Sequence, residues 1–201
     1  MNVSTLMDRD SELALVDRLR AGDPGAFDIV HATFHTRLVT FLARLSRRRD
    51  VAEDLVEETW LRLVSQASRL RPDTRLGPWL YTVARNLHVS YCRSRLLEES
   101  HLADLFGLWP GGTPRSSPFE ETAATEFERR LECALAALPA SSREVLLLVA
   151  VEGLRPAEAA EVCGITPEAL RQRLSRARAL LARRLDTAGA IHSTTLSEVT
   201  S

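Results

Sequence analysis

The chain has 201 residues, of which 45% are hydrophobic, and its formal net charge is −1 at pH 7. This length allows one ordinary domain or two small ones, and the apolar content is sufficient for hydrophobic cores. No apolar run approaches the roughly 20 residues that a membrane-spanning helix needs, and the N-terminus lacks the apolar segment of a signal peptide. We therefore expect a cytoplasmic protein without membrane insertion.

The near-neutral net charge conceals a segregation of charge along the chain. Acidic residues concentrate at 50–58 and 98–132, whereas a stretch near the C-terminus is strongly basic. All 26 basic residues are arginines. Arginine suits bidentate contacts with phosphates and base edges, but a GC-rich coding sequence produces the same preference, so arginine usage alone decides nothing about function.

Metal and catalytic sites have little support in the sequence. The cysteines, Cys92, Cys133 and Cys163, are widely spaced and form no C-x-x-C motif, which argues against a zinc site or a disulfide framework. His31 and His35 have a spacing that metal ligands also use, but no third histidine is near them. Because the chain also lacks a Gly-rich phosphate loop and a paired nucleophile and base, we expect no metal, no cofactor and no enzymatic activity.

The first part of the chain predicts a helical bundle. Residues 11–21 form a first helix, which ends at a Gly-Asp-Pro-Gly turn, and a longer helix runs from Pro24 to about Ser46. Residues 50–66 form a third amphipathic helix. Apolar residues at helical spacing on the second helix are predicted to form the core: Phe27, Val30, Phe34, Leu38, Phe41, Leu42 and Leu45.

The outer face of the third helix carries four acidic residues, Glu53, Asp54, Glu57 and Glu58. Calcium sites place their carboxylates in a loop with carbonyl ligands and a bending glycine, whereas these acids lie on a regular helix. The cluster is therefore interpreted as a solvated face or as a docking face for a basic partner.

A breaker-rich loop, residues 69–78, precedes a fourth predicted helix at 79–95. This helix mixes aromatic residues with polar and cationic ones such as Arg85, Asn86, His88 and Arg93. Aromatic groups among positive charges suit single-stranded nucleic acid, because bases stack on the rings and arginines neutralise phosphates. The alternative is that Trp79 and Tyr81 only seal the core.

Residues 98–125 are predicted to be a flexible linker because they are rich in glycine, proline and serine. An apolar patch at 102–109 is unusual for a free linker. The tail at 187–201 has little to bury, and we expect it to be disordered.

The segment 154–185 predicts a helix-turn-helix. Pro156 suits a first helical position, Gly164 ends that helix, and Thr166 can cap the next one through its side-chain oxygen. In the second helix, Leu170, Leu174, Ala177 and Leu181 recur at helical spacing and form a buried stripe.

The opposite face of that second helix is rich in arginine. Residues 166–185 contain six arginines and a single acid, Glu168. Arginine and glutamine side chains near the start of such a helix can form paired hydrogen bonds with base edges in the major groove, while flanking arginines contact phosphates. The alternative is an ordinary arginine-rich helix that faces solvent.

Two sets of motifs resemble a known family. Residues 52–63 and 79–87 are similar to region 2 of the small sigma factors of bacterial RNA polymerase, and residues 22–27 fit the same family. Residues 138–154 and the helix-turn-helix that ends at 173–178 are similar to its region 4. Their order along the chain resembles the two-domain, extracytoplasmic-function (ECF) type of sigma factor.

The resemblance implies an all-α protein of two small helical domains joined by a flexible linker. Region 2, a helical bundle, would span 11–97, and region 4, with the helix-turn-helix, would span 126–186. The implied function is to bind core RNA polymerase and direct promoter-specific transcription initiation without catalysis by this chain. An anti-sigma factor is a further partner that the resemblance allows. A stand-alone dimeric helix-turn-helix repressor or activator is the alternative, and it predicts operator binding without polymerase.

The resemblance also assigns roles to individual residues. The recognition helix would read the duplex minus-thirty-five element through Arg171, Gln172, Arg173, Ser175, Arg176 and Arg178. The melted minus-ten element would be bound by Trp79, Arg85, Asn86, His88 and Arg93. Core polymerase would be bound by Asp54, Leu55, Glu57, Glu58 and Leu61.

Overall fold

A computed structural model of the chain describes residues 8–106 and 126–198. In these ranges the fold is helical and contains no strand, which confirms the predicted all-α class. The first helical unit comprises α1 (Arg9–Arg20), α2 (Pro24–Ser46), α3 (Arg49–Gln66) and α4 (Leu76–Phe106). The second helical unit comprises α5 (Glu126–Ala136), α6 (Ala140–Leu146), α7 (Pro156–Cys163) and α8 (Pro167–Glu198). A single π-helical segment, Leu147–Val151, follows α6.

Aspartate side chains cap the N-termini of the first two helices. The Asp8 side chain accepts hydrogen bonds from the backbone N–H groups of Asp10 at 3.1 Å and Ser11 at 3.0 Å, and so caps α1. Asp23 caps α2 in the same way, with the Gly25 N–H at 2.9 Å and Pro24 at the first helical position. These contacts satisfy N–H groups that have no partner within the helix.

The core of the first unit is built on α2, as its spacing predicts. The predicted stripe is buried, with exposure of at most 4% at Val30, Phe34, Leu38, Phe41, Leu42 and Leu45. Phe27 is half-buried and packs edge-on against Trp60 of α3, with ring centroids 5.8 Å apart. The Trp60 indole N–H donates to Nδ1 of His35 at 3.2 Å, and the rings of His31 and His35 stack at 4.6 Å. Both histidines therefore belong to an aromatic cluster.

Two helices extend beyond their predicted ends. The sequence assigns 98–125 to a linker, whereas α4 continues to Phe106; residues 107–125 lie outside the described residues. The sequence assigns 187–201 to a disordered tail, whereas α8 continues to Glu198. Extending a helix costs much less than nucleating one, and no proline interrupts either extension.

The helix α4 also begins earlier than predicted. It starts at Leu76, so Pro78 lies in the first turn, where its missing N–H would have had no partner within the helix. The N–H of Leu76 is satisfied from outside the helix, since it donates to the Glu12 carboxylate at 2.9 Å.

The two helical units pack against each other. Their buried apolar residues form one continuous cluster, and α4 of the first unit lies against α7 of the second. Arg143 of α6 is 5% exposed and donates across this contact to the carbonyl oxygen of Leu45, at 3.1 Å. Within the described ranges, none of the helices is both long and apolar enough to cross a membrane.

Candidate nucleic-acid interface

The helix-turn-helix has the geometry that the sequence predicts. The first helix, α7, ends at Gly164, whose φ of 64° lies in the left-handed region that favours glycine. Thr166 Oγ1 then accepts a hydrogen bond from the backbone N–H of Ala169 at 3.2 Å and caps α8. Both ends of the turn are therefore fixed by local interactions.

The second helix of this motif separates an apolar face from a basic one. Leu170, Leu174 and Ala177 are at most 6% exposed and pack into the core of the second unit, while Leu181 is partly buried at its margin. The basic face is open to solvent, because Arg171, Gln172, Ser175, Arg176 and Arg178 are exposed and Arg173 is half-buried. The basic face of α8 is therefore accessible to solvent along its first turns.

The residues suggested for melted DNA fall into two groups on α4. Asn86 and Arg93 are exposed, and Trp79 is half-buried near the start of the helix. Arg85 and His88 instead face the second unit. Arg85 Nε donates to the Glu144 carboxylate of α6 at 2.9 Å, so its charge is already paired.

His88 lies inside the contact between the two units. It is 8% exposed, and its Nε2 lies 3.6 Å from Sγ of Cys92 one turn along the helix. Burial, together with the positive charges of Arg143 and Arg85, lowers the pKa of His88 to about 4. In this arrangement the ring is neutral at pH 7 and almost fully buried.

The loop before α4 is held in place by α1. Arg9 donates to the carbonyl oxygen of Asp73 at 2.8 Å, and it also pairs with Glu12 at 2.6 Å. Glu12 in turn accepts from the N–H of Leu76. Two side chains of α1 therefore fix the loop at 70–75, and nothing in the local sequence pattern of α1 indicates this role.

The acidic face of α3 is open and continues into an apolar strip. Asp54 and Glu57 are exposed, Leu55 is half-buried, and Glu58 is paired with Arg62 at 2.8 Å. Leu61 is 64% exposed, and so is Val64 of the next turn, at 61%. Two large apolar side chains are therefore exposed within one turn of these carboxylates.

Sequence reasoning did not single out the carboxylates of the second unit. Glu152 is 2% exposed and accepts hydrogen bonds from the Tyr81 hydroxyl and from Arg37 Nε, the latter at 3.1 Å. Burial and the negative charge of Glu152 raise the pKa of Tyr81, which remains a hydroxyl donor. The partners are separated by more than 70 residues along the chain, so no local pattern could reveal them.

Comparisons with known proteins agree with this geometry. Family models described as "Sigma-70 region 2" and "Sigma-70, region 4" match residues 31–96 and 128–181. The ECF RNA polymerase sigma factor EcfG of Rhodopseudomonas palustris is 37% identical over 153 residues, which cover 76% of this chain and 81% of that protein. The sigma factor CarQ of Myxococcus xanthus is 33% identical over 161 residues, which cover 80% of this chain and 90% of CarQ.

A solved structure supports the same relationship. The structure of the sigma factor RpoE in complex with the anti-sigma factor NepR from Bartonella quintana has a TM-score of 0.66 and 27% identity with this chain. The similarity covers 80% of this chain and 96% of that one.

The fold and the exposed basic helix define an all-helical, DNA-binding transcription protein. The chain belongs to the sigma-70 family of RNA polymerase sigma factors, in its extracytoplasmic-function group. Regions 2 and 4 of this family bind core RNA polymerase and promoter DNA. The first helical unit contains region 2 and the second contains region 4. These matches do not favour the alternative of a stand-alone repressor or activator.

Proposed function

We propose that this chain binds core RNA polymerase and directs initiation at promoters with two upstream elements, of which it reads one as duplex and stabilises the other as melted strand. One observation carries this proposal: the capped helix-turn-helix exposes an arginine-rich face, while a separate surface on α3 offers acidic and apolar groups to a protein. Polymerase and DNA would thus use different faces of the molecule, in the cytoplasm.

The duplex element would be read by the exposed face of α8. Arg171, Gln172 and Arg176 lie on the first turns of the helix, where a recognition helix contacts base edges. Each good bidentate contact provides about 1–3 kcal/mol of discrimination between bases. We assign phosphate contacts to Arg173 and Arg178 and a further base contact to Ser175.

The melted element would be bound by α4 and the loop before it. Trp79 offers a ring for stacking, and Asn86 and Arg93 offer polar and cationic groups at exposed positions. Stacking of a base on an aromatic side chain contributes about 1–3 kcal/mol, which offsets the cost of unstacking that base from the duplex. Arg85 and His88 would join this surface once they leave the contact with the second unit.

Core polymerase would dock on α3. Asp54, Glu57 and Glu58 supply negative charge for a basic partner, and Leu55 and Leu61 supply apolar surface beside it. Electrostatic complementarity of this kind guides association, while buried apolar area provides affinity. An anti-sigma protein is a second proposed partner, because the similar RpoE structure contains one.

The proposal is tested by mixing the full chain with bacterial core polymerase, measuring co-elution, and mapping transcription starts from genomic fragments. We expect a stable complex and start sites that share a two-part upstream sequence. Arg176→Ala should weaken recognition of the duplex element by about tenfold and leave recognition of the melted element unchanged. Arg184→Ala is the matched control, since it removes an exposed arginine of the same helix outside its first turns.

A second variant separates polymerase binding from DNA binding. Leu61→Ser should reduce co-elution with core polymerase without changing the fold, because Leu61 is exposed and contributes little to the core. If the chain ignores core polymerase but protects a palindromic DNA site by itself, the proposed function is wrong and the repressor alternative replaces it.

A further inference from the structure

The loop at 70–75 lines an open cleft beside the start of α4. The cleft has a volume of about 720 Å³, and its other lining residues include Trp79 and Thr82 of α4 and Arg9 of α1. Part of α7 also borders it. Trp79 provides the ring proposed above for base stacking. The position of the loop therefore sets the shape of the space next to that ring.

The loop has few contacts of its own. Leu70, at its start, is 6% exposed and belongs to the apolar cluster. A turn follows, in which the N–H of Thr74 donates to the carbonyl oxygen of Arg71 at 3.0 Å. Arg71 pairs with Asp73 at 3.1 Å, but both side chains are largely exposed, and surface pairs of this kind stabilise little. The rest of the loop therefore depends on contacts from other parts of the chain.

Arg9 of α1 provides such a contact. Asp8 caps α1, which fixes the backbone of Arg9 at the first helical position. The Arg9 guanidinium donates to the carbonyl oxygen of Asp73 at 2.8 Å, and a longer contact reaches the carbonyl oxygen of Thr74 at 3.5 Å. Hydrogen bonds from a charged donor are stronger than neutral ones. One side chain thus holds two successive carbonyl groups of the loop.

Glu12 connects this contact to the start of α4. Its side chain is 17% exposed, and its Oε2 atom accepts from Arg9 at 2.6 Å. Its Oε1 atom accepts from the backbone N–H of Leu76, the first residue of α4, at 2.9 Å. A carboxylate at this end of a helix also interacts favourably with the helix dipole. Arg9 and Glu12 therefore tie the loop and the N-terminus of α4 to one turn of α1.

We propose that Arg9 and Glu12 are positioning residues for the melted DNA strand, and that they determine how strictly this chain reads the melted element. This inference rests on the proposed function of α4 in binding melted DNA. A base that leaves the stack is read by the groups around it, and such groups discriminate best when they are already held in place. Ordering a loop on binding costs affinity, and α1 removes part of that cost.

Direct contact between Arg9 and a DNA phosphate is the competing role, since Arg9 lines the cleft and its side chain is 37% exposed. The two roles differ in their dependence on salt. A phosphate contact contributes about 0.7 to the slope of log K against log salt for a single strand. A positioning residue leaves that slope unchanged and lowers the affinity by the same factor at each salt concentration.

The main test is Arg9→Ala in the full chain, bound to core polymerase. The DNA is a promoter mapped in the transcription experiment above and opened at its melted element by a mismatched bubble, together with versions that carry one base substitution in that element. We expect binding to the original promoter to weaken about fivefold, and discrimination against the substituted versions to fall by a similar factor. The salt slope should stay within about 0.3 of the wild-type value.

The control Arg20→Ala removes an exposed arginine of the same helix, which pairs with Asp17, and should change neither binding nor discrimination by more than about twofold. Glu12→Gln tests the link to α4. Glutamine keeps an oxygen that can accept from the N–H of Leu76 but lacks the charge that pairs with Arg9. Discrimination should fall about twofold in this variant, less than in Arg9→Ala. Co-elution of each variant with core polymerase should match wild type.

The proposal is overturned if Arg9→Ala keeps the discrimination of wild type, or if its salt slope falls by about 0.7, which would make Arg9 a phosphate contact. The wild-type chain with core polymerase is measured in parallel. If wild type does not select among the bubble templates, the proposed function of α4 is wrong. If wild type and Arg9→Ala select equally well, only the role assigned to α1 is wrong.

Discussion

At the residue scale, the structure places polar groups where their partners come from distant parts of the chain. Glu152 is the clearest case, because its buried carboxylate receives the Tyr81 hydroxyl and the Arg37 guanidinium from two different helices. A buried charge of this kind is tolerated only when it is paired and hydrogen-bonded. We therefore expect individual side chains at this contact to affect the stability of the chain.

Tyr81→Phe should lower the free energy of unfolding by about 1–2 kcal/mol, because it removes one hydrogen bond to a buried carboxylate while Arg37 stays in place. Urea unfolding of the full chain measures this change. Tyr91→Phe, a half-buried position of the same helix, is the matched control and should stay within about 0.5 kcal/mol of wild type. Equal effects of the two variants would show that the Tyr81 hydroxyl does not stabilise Glu152.

His88 should make stability depend on pH. Its folded pKa of about 4 lies below the ordinary value of 6.5, so the unfolded chain binds a proton that the folded chain does not. This contribution to stability is fully present above pH 6.5 and is lost progressively as the pH falls towards 4. The groups that face the ring are Arg85 and Cys92 of α4 and Arg143 of α6.

We expect the free energy of unfolding to fall by about 1–2 kcal/mol between roughly pH 7 and pH 5 through His88. His88→Gln should remove this part of the pH dependence, whereas His31→Gln, in the aromatic cluster on α2, should retain it. Urea unfolding at a series of pH values provides the measurement. An unchanged slope in His88→Gln would contradict the assignment.

At the element scale, local chemistry explains most helix ends, but one helix acts on a distant loop. The capped ends of α7 and α8 follow from Gly164 and Thr166, which the sequence displays directly. By contrast, α1 fixes the loop at 70–75 through Arg9 and Glu12. We regard these two side chains as positioning residues for the start of α4.

Arg9→Ala should increase amide hydrogen exchange in the loop at 70–75 by about tenfold, because it removes a charged donor to the Asp73 carbonyl. Hydrogen exchange followed by mass spectrometry measures this directly. Arg20→Ala is the control, since Arg20 pairs with Asp17 at 3.3 Å on the surface of the same helix. Equal protection of the loop in both variants would show that Arg9 does not hold it.

At the scale of the whole molecule, the two regions share one apolar cluster. Arginines of the first unit also pair with glutamates of the second, as in Arg37–Glu152 and Arg85–Glu144. Regions that share a core lose stability together when the contact breaks. Side-chain contacts among the described residues hold the two units together, such as the hydrogen bond from Arg143 to the carbonyl oxygen of Leu45.

The full chain should therefore unfold in a single calorimetric transition, with calorimetric and van't Hoff enthalpies in agreement. Glu144→Gln/Glu152→Gln/Glu158→Gln removes three of the carboxylates that pair with arginines of the first unit. This variant should broaden the transition or divide it in two, since each unit then unfolds with its own core. The control Glu53→Gln/Glu161→Gln removes two exposed carboxylates and should keep one transition. Two transitions in the wild-type protein would show that the contact between the units is too weak to couple them.

The sequence by itself determined the local features of this protein. Helical periodicity defined the core of α2, the cap residues defined the helix-turn-helix, and the motif order indicated regions 2 and 4. These features depend on residues a few positions apart, and their spacing is visible in the chain. The same reasoning misplaced the ends of α4 and α8, because helix propagation does not require a marked signal.

Only the tertiary structure decided which charges meet. The pairs Arg85–Glu144 and Arg37–Glu152 join residues 59 and 115 positions apart, and no periodicity links such positions. The resemblance therefore assigned Arg85 and His88 to melted DNA, whereas in the structure Arg85 pairs with Glu144 of region 4 and His88 is buried. The physical reason is that partner choice across a packed contact depends on the mutual orientation of the two units, and local spacing does not encode that orientation.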